Sequence, residues 1–119
     1  MNLSSKIYVA GHRGLLGSAL VRRLRAGGYS NLVVRTHSEL DLTEQLAVRE
    51  FFVKERPEHV FLAAAKVGGI LANSTYPADF ISQNLLIQTN VIHQAYLAGV
   101  STCSFWDQAA STQNTLLNR

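Results

Sequence analysis

The chain of 119 residues is 47% hydrophobic and 16% charged, which fits one folded domain and excludes an intrinsically disordered chain. Its net charge of +3 is mild, and Arg22, Arg23 and Arg25 share one predicted helix without interleaved aromatic residues, so we expect a solvated helix face and no nucleic-acid partner. The single cysteine, Cys103, excludes an internal disulfide, and no apolar run reaches the roughly 18 residues of a membrane helix. We therefore expect a cytoplasmic protein without a membrane partner.

The first strand and helix are predicted on either side of a glycine-rich turn. Residues 6–10, KIYVA, are short, β-prone and bounded by glycine, as in a strand that is buried on both faces. After the turn, apolar residues recur at helical spacing until the sequence AGG at residues 26–28 ends the pattern. The turn itself, GHRGLLG, contains Gly11, Gly14 and Gly17.

A second strand and a second helix follow. Residues 31–36, NLVVRT, predict the strand, and the segment DLTEQLAVREFFVKE predicts the helix, with a start near a cap at Asp41 or Thr43. Pro57 ends this helix. Its predicted apolar stripe consists of Val48, Phe51 and Phe52.

The third strand is predicted over residues 59–65, HVFLAAA, and a long helix is predicted from Pro77, in its first turn, toward Gly99. The alternation predicts an α/β fold: the N-terminal β-α-β-α-β-α portion of a doubly wound parallel sheet, a partial Rossmann fold with helices on both faces. We expect the third strand to lie at an open edge unless residues 103–106, CSFW, pair with it. The candidate core contacts of the long helix are Phe80, Ile81, Leu85, Val91, Ile92 and Ala95.

The three glycines of the turn follow the first predicted strand, at the edge where doubly wound sheets bind ligands. Gly11 would permit the tight turn, Gly14 would let a phosphate approach the backbone, and Gly17 would let the helix pack closely. The first N–H groups of the helix would face the anion. The turn therefore predicts nucleotide binding, although a glycine-rich connector that binds nothing has the same pattern. A P-loop is disfavoured because the Lys-Ser/Thr pair of that motif is missing.

Four segments, AGHRGLLGSALVRRL, ELDL, FLAAAKVGGILANSTYPADFI and NLLIQTNVIHQAYLAGV, together resemble the GDP-L-fucose synthases, a family of extended short-chain dehydrogenases/reductases. The resemblance runs from about Lys6 to Val100 and is densest in AAAKVGGI and TYPADF. It implies an NADP(H)-dependent epimerase and reductase that converts GDP-4-keto-6-deoxy-D-mannose to GDP-L-fucose. It also implies a nucleotide-sugar substrate and a family of homodimers.

The resemblance further implies a cofactor site. Arg13 would lie near the adenosine 2′-phosphate, with a solvent-facing turn residue as the alternative. Arg35 and His37 lie at the end of the second strand, where an acidic residue would favour NAD, so they favour NADP. Asp41 and Leu42 would lie beside the adenine ring, unless Asp41 only caps the following helix. The implied cofactor contacts are Gly11, His12, Arg13, Gly14, Leu15, Leu16, Gly17, Arg35, His37, Asp41, Leu42, Ala63, Ala64 and Ala65.

The residues that carry the chemistry of this superfamily are missing from the sequence. None of the four tyrosines has a lysine four positions on, and Cys103 lies outside the matching segments. Asn84 and Asn90 match helix positions that support the active-site geometry in the family, and Lys66 is a further candidate on the cofactor side. We therefore predict no catalytic residue, no metal site, and a cofactor-binding N-terminal part of an enzyme that is inactive alone. The alternative is a non-catalytic NADP-binding or dimerising module.

Residues 1–100 are predicted to form the N-terminal part of an NADP-binding Rossmann domain, and residues 101–119 a non-homologous tail. One permitted set of codons for residues 101–114, read from the third base of the Ser101 codon, encodes HVLFLGSSCIYPK, a strand and a Ser-Cys segment in the style of the resembled family. We therefore predict that one base was lost just after Val100. An unrelated C-terminal exon is the alternative.

Overall fold

The structure is a computed structural model that describes residues 2–63, 77–107 and 112–118, with side chains for residues 2–63 and 82–104. The predicted order β-α-β-α-β-α is confirmed, and two more strands follow it in the described part of the chain. The helices are α1 (Leu15–Ala26), α2 (Gln45–Glu55) and α3 (Pro77–Leu97). The strands are β1 (Ile7–Ala10), β2 (Leu32–Val33), β3 (His59–Leu62), β4 (Thr102–Asp107) and β5 (Thr112–Asn118).

The described strands form one sheet in the order β2-β1-β3-β4-β5. The first four are parallel, and β5 is antiparallel to β4. β4 runs beside β3 with Cys103 opposite Val60. The expectation of an open edge at β3 is therefore wrong, and the exception, pairing by residues 103–106, is what the structure shows. The backbone of β3 gains partners on both sides, which removes an edge that would otherwise invite aggregation.

Helices cover both faces of the sheet, as the alternation of strands and helices predicts. Tyr8 belongs to the larger core, which α2 and α3 cover, whereas Ile7 and Val9 belong to a smaller core beneath α1. This division follows from the period of two in a strand, which sends successive side chains to opposite faces. On the smaller side α1 buries Val21 and Leu24, each worth about 1.5–3 kcal/mol when fully removed from water.

The start of α2 differs from the prediction. The helix begins at Gln45, and its N-cap, Glu44, makes no side-chain capping hydrogen bond. The carboxylate of Asp41 instead accepts hydrogen bonds from the backbone N and the Oγ1 of Thr43, at 3.0 and 2.6 Å. This closes a separate turn before the helix, because a short carboxylate bonds most easily to a backbone N–H two residues on. The predicted cap at Asp41 or Thr43 is therefore wrong.

Other local predictions have mixed outcomes. The apolar stripe of α2 is buried and Pro77 begins α3, as predicted. Leu85 is 57% exposed, so its core assignment is wrong, whereas Val91 and Ala95 are buried as predicted. The side chains of Phe80 and Ile81 lie outside the described part. β2 spans Leu32–Val33 and is shorter than predicted. No helix in the described ranges combines the length and hydropathy of a membrane span.

Candidate functional site

A cleft of about 610 Å³ opens where β1, β2 and β3 end. Its walls come from the turn after β1, the loop after β2, the residue after β3 and one side of α3. This is the edge of a parallel sheet at which doubly wound folds bind their ligands. The lining residues are Gly11, His12, Arg13, Gly14, Arg35, Thr36, His37, Leu40, Asp41, Leu42, Thr43, Ala63, Gln83 and Ile87.

The surroundings of the turn require glycine at two of its three glycine positions. Gly11 has a φ of +84°, a left-handed conformation that side chains disfavour. A Cβ on Gly17 would lie 1.8 Å from the carbonyl oxygen of Gly11, so α1 packs against the turn only because that side chain is absent. A Cβ on Gly14 would come no closer than 3.5 Å to any described atom. The steric roles predicted for Gly11 and Gly17 are confirmed, whereas the ligand-facing role of Gly14 stays a prediction.

The start of α1 lies beside the cleft, because its N-cap, Gly14, lines it. Gly14, the N-cap, makes no side-chain hydrogen bond, and the first turn of α1 contains no acidic residue. The N–H groups and the helix dipole therefore favour an anion at this end. The Nδ1 of His12 is buried without a hydrogen-bond partner in the described part of the chain. An unsatisfied buried nitrogen beside an uncapped helix start fits a site that receives a polar ligand.

Arg35 is held firmly at the end of β2. Its Nη2 lies 2.9 Å from the Oε2 of Glu55, and its Nη1 donates to the backbone oxygen of Val34 at 2.9 Å. The guanidinium carbon lies 5.4 Å from the centroid of the Phe51 ring, within cation–π range. The other carboxylate oxygen of Glu55 lies 2.8 Å from the Nζ of Lys6, which holds the pKa of Glu55 below its usual value. Arg35 therefore reaches the cleft in a fixed geometry.

Two hydrogen-bonded turns shape the loop after β2. The backbone N–H of Thr36 donates to the carboxylate of Glu39 at 2.7 Å, and the N–H of Glu39 donates to Thr36 Oγ1 at 3.3 Å. The first of these bonds is the main cause that lowers the pKa of Glu39. In the second turn, the hydrogen bonds from Thr43 lower the pKa of Asp41. Both carboxylates are therefore ionised at neutral pH and occupied by the loop itself.

A buried asparagine connects α3 to this loop. Asn90 is 7% exposed, and its Nδ2 donates to the backbone oxygen of Leu42 at 2.9 Å. Truncating Asn90 would leave that buried carbonyl without this donor. Asn90 thus supports one wall of the cleft from behind, while Asn84 is half-buried on the same helix.

The structure brings most of the predicted cofactor contacts into the cleft lining, from Gly11 to Ala63 along the chain. Leu15, Leu16 and Gly17 lie on the first turn of α1 and do not line the cleft. Arg13 and His37 are exposed, so their side chains are accessible to a ligand. The predictions that concern Ala64, Ala65 and Lys66 fall outside the described residues.

Several residues that line the cleft were not predicted from the sequence as cofactor contacts. Gln83 and Ile87 lie four apart on α3, and therefore on one face of that helix. No local pattern links α3 to a loop about 40 residues earlier, so only the packing of the helix shows the contact. Three further lining residues, Thr36, Leu40 and Thr43, are neighbours in sequence of predicted site residues. Their position in the loop after β2 is the signal by which the sequence could have indicated them.

Tyr8 and Cys103 are buried titratable groups that do not line the cleft. Tyr8 is buried in the larger core, where desolvation raises its pKa despite the opposing charge of Arg35. Burial also raises the pKa of the Cys103 thiol, to about 11. No group of three or more His, Cys, Asp or Glu side chains in the described ranges is arranged to hold a metal ion.

Known proteins share this architecture. The model of the NAD dependent epimerase/dehydratase family matches residues 7–114. The chain is 65% identical over 102 residues to GDP-L-fucose synthase 1 of Arabidopsis thaliana, a match that covers 86% of this chain and 32% of that protein. It is 52% identical over 100 residues to the GDP-L-fucose synthase of Escherichia coli (strain K12), covering 84% and 31%. The chain thus spans about a third of the length of these curated relatives.

A solved structure agrees with these sequence matches. A GDP-mannoheptose C4 reductase from Campylobacter jejuni, with NADP bound, is 50% identical to this chain with a TM-score of 0.84. That match covers 89% of this chain and 33% of the reductase. The resemblance to the GDP-L-fucose synthases and the partial Rossmann fold are therefore confirmed. With the family model matched over residues 7–114, the chain belongs to the NAD dependent epimerase/dehydratase family.

Proposed function

We propose that the cleft binds the adenosine half of NADP(H). The observation that carries the proposal is the pair Arg35 and His37 at the end of β2, which lines the cleft together with Arg13 from the glycine turn. An NAD site would present an acidic side chain here to the ribose 2′-hydroxyl. A guanidinium instead donates to a phosphate in a planar, bidentate geometry. The NADP in the similar Campylobacter jejuni reductase supports the same choice.

The proposed site divides the cofactor among the walls of the cleft. The glycine turn and the uncapped start of α1 would hold the pyrophosphate, with Gly14 leaving room for its approach. Arg13 and Arg35 would bind the 2′-phosphate, and Leu42 would pack beside the adenine ring with Asp41 next to it. When bound, NADPH supplies a hydride, and this chain's residues bind and orient its adenosine end.

The whole enzyme that this chain resembles would act on a nucleotide sugar. We propose GDP-4-keto-6-deoxy-D-mannose as its substrate and an epimerisation followed by reduction as its reaction, in a cytoplasmic homodimer. The 119-residue chain lacks the Tyr-x-x-x-Lys pair for proton transfer to the carbonyl. We therefore expect the chain alone to bind part of the cofactor and to turn over no substrate.

Calorimetry with adenosine 2′,5′-bisphosphate tests the 2′-phosphate site. We expect this probe to bind the chain more tightly than adenosine 5′-monophosphate, because only the bisphosphate reaches Arg13 and Arg35. Arg13→Met should weaken bisphosphate binding by about tenfold or more, the effect of a lost hydrogen bond to a charged group. Binding of the monophosphate should change little.

Arg22→Met is the matched control, since Arg22 is an exposed arginine on α1 away from the cleft lining. It should leave both affinities unchanged. Equal affinity for the two nucleotides in the unsubstituted chain would contradict the proposed 2′-phosphate site. Reduction of the keto sugar by the chain above background would contradict the expected lack of turnover.

A further inference from the structure

The Arg35 side chain lines the cleft, but the contacts that fix its position come from residues outside the cleft. Its guanidinium contacts Glu55, Val34 and the face of Phe51, and none of these three residues lines the cleft. Glu55 is the last residue of α2 and lies 20 positions from Arg35 in the sequence. We propose that Glu55 is a positioning residue that orients Arg35 toward the 2′-phosphate, an inference that rests on the proposed function.

The hydrogen-bond donors of Arg35 are compatible with this role. An arginine carries five N–H donors in a rigid plane. One Nη group donates to the Val34 carbonyl and the other to Glu55, so three donors have no partner within residues 2–63 and 82–104 and are available for a ligand. Because the guanidinium is planar, fixing two of its edges also fixes the direction of the remaining donors. The ring of Phe51 beneath the guanidinium restricts its tilt further.

The charges around Arg35 are also compatible with phosphate binding. A carboxylate paired with Arg35 alone would cancel the positive charge that a phosphate needs. Here Glu55 is shared, since its other oxygen is bonded to Lys6 at 2.8 Å. The three groups therefore carry a net charge of +1, and the cleft keeps a positive side chain. The pair is also only partly exposed, with 16% of the Glu55 side chain and 31% of the Arg35 side chain accessible, so solvent screens it incompletely.

Substitution of Glu55 separates orientation from charge. Glu55→Gln removes a negative charge, which by electrostatics alone would strengthen phosphate binding. Loss of orientation would weaken it, because Arg35 would have to be immobilised when the ligand binds. Glu55→Asp keeps the charge and shortens the reach to Arg35. A loss of phosphate affinity in both variants would therefore indicate lost orientation of Arg35, whereas a gain in Glu55→Gln would indicate the effect of charge alone.

The experiment measures, in the full 119-residue chain, the affinity for adenosine 2′,5′-bisphosphate divided by that for adenosine 5′-monophosphate. We expect this ratio to fall by about 2- to 10-fold in both Glu55→Gln and Glu55→Asp, the cost of ordering one long side chain. Glu50→Gln is the control, because Glu50 is an exposed glutamate on the same helix. Its ratio should equal that of the unsubstituted chain.

An unchanged or increased ratio in the two Glu55 variants, with the bisphosphate still preferred by the unsubstituted chain, overturns the positioning role and leaves the proposed function standing. A lack of preference in the unsubstituted chain overturns the proposed function and this inference with it. Circular dichroism shows whether each variant is folded. If Glu55→Gln does not fold, Glu55→Asp, which retains the charge that pairs with Lys6, decides the question.

Discussion

At the residue scale, the three glycines in the turn after β1 have different structural roles. Gly11 is required by its own backbone conformation, and Gly17 by the approach of α1 to the turn. Gly14 is required by neither, because its extended backbone suits any residue and a Cβ would make only an ordinary contact. Within the described part of the chain, the space next to Gly14 is therefore open to a ligand, as the proposed pyrophosphate site needs.

The close approach at Gly17 predicts a large loss of stability on adding one methyl group. In Gly17→Ala the new Cβ would overlap the backbone of Gly11, at 1.8 Å from its oxygen, and neither backbone can move without displacing α1. We expect the free energy of unfolding to fall by about 3 kcal/mol or more, the upper range for overpacking. Urea unfolding followed by circular dichroism measures the change.

Gly27→Ala provides the control for this substitution. Gly27 ends α1 with a φ of −80°, and a Cβ there would have its nearest neighbours at 3.5 Å. Its unfolding free energy should stay close to that of the unsubstituted chain. A Gly17→Ala variant as stable as Gly27→Ala would show that α1 does not pack against the turn in the way described.

At the scale of the elements, β4 gives β3 its second neighbouring strand in the sheet. Cys103 is fully buried and Ser104 is 4% exposed, so the first half of β4 faces covered space on both sides. A side-chain contact joins the two strands where His59 and Thr102 are paired, with Nδ1 and Oγ1 2.7 Å apart. His59 is 9% exposed, and this burial lowers its pKa.

The burial of His59 predicts a stability that decreases in mild acid. Because the pKa of His59 is lower in the folded chain than in the unfolded chain, the unfolded chain binds the proton more readily. The stabilisation is therefore complete above the unfolded pKa of about 6.5 and is lost as the pH falls below it. We expect the unfolding free energy to decrease between about pH 7 and pH 5, and His59→Gln to reduce that dependence.

His93→Gln is the comparison for the pH dependence, since His93 is exposed on α3. Denaturant unfolding at several pH values should give the same pH dependence for His93→Gln as for the unsubstituted chain. If His59→Gln kept the full dependence in this window, the burial of His59 between β3 and β4 would not be the cause of it.

At the scale of the whole molecule, the order of the strands determines where a ligand binds. The chain leaves β1 toward β2 on one side and leaves β3 toward β4 on the other, so the direction of winding changes between β1 and β3. Doubly wound sheets bind ligands at that change of direction. The glycine turn follows β1 and Ala63 follows β3, so both lie at this position and both line the cleft.

The origin of residues 101–119 is a prediction about the whole chain that its gene can test. The reading HVLFLGSSCIYPK begins with a β-prone run at the position that β4 occupies beside β3. We expect the gene or its messenger to show that one added base after the Val100 codon restores this reading. Sequencing through codons 99–119 measures it directly. The prediction is wrong if no single-base shift restores the segment.

The sequence by itself determined the order of the first three strands and the three helices, the parallel pairing of those strands and the position of the glycine turn. These features depend on local periodicity and on where Gly and Pro interrupt it, as at Gly11 and Pro77. The sequence also indicated Arg35 and His37, because they lie at the end of the second predicted strand, the position where doubly wound folds contact the adenosine ribose.

Only the tertiary structure decided what holds these residues in place. Glu55 bonds to Arg35 across 20 positions, and Asn90 bonds to the carbonyl of Leu42 across 48 positions. The pairing of β4 with β3 likewise joins segments separated by the whole of α3, and Leu85 is exposed because that helix buries a different face. Such contacts depend on the free energy of packing distant elements together, and a local pattern of residue types does not encode which partner each side chain meets.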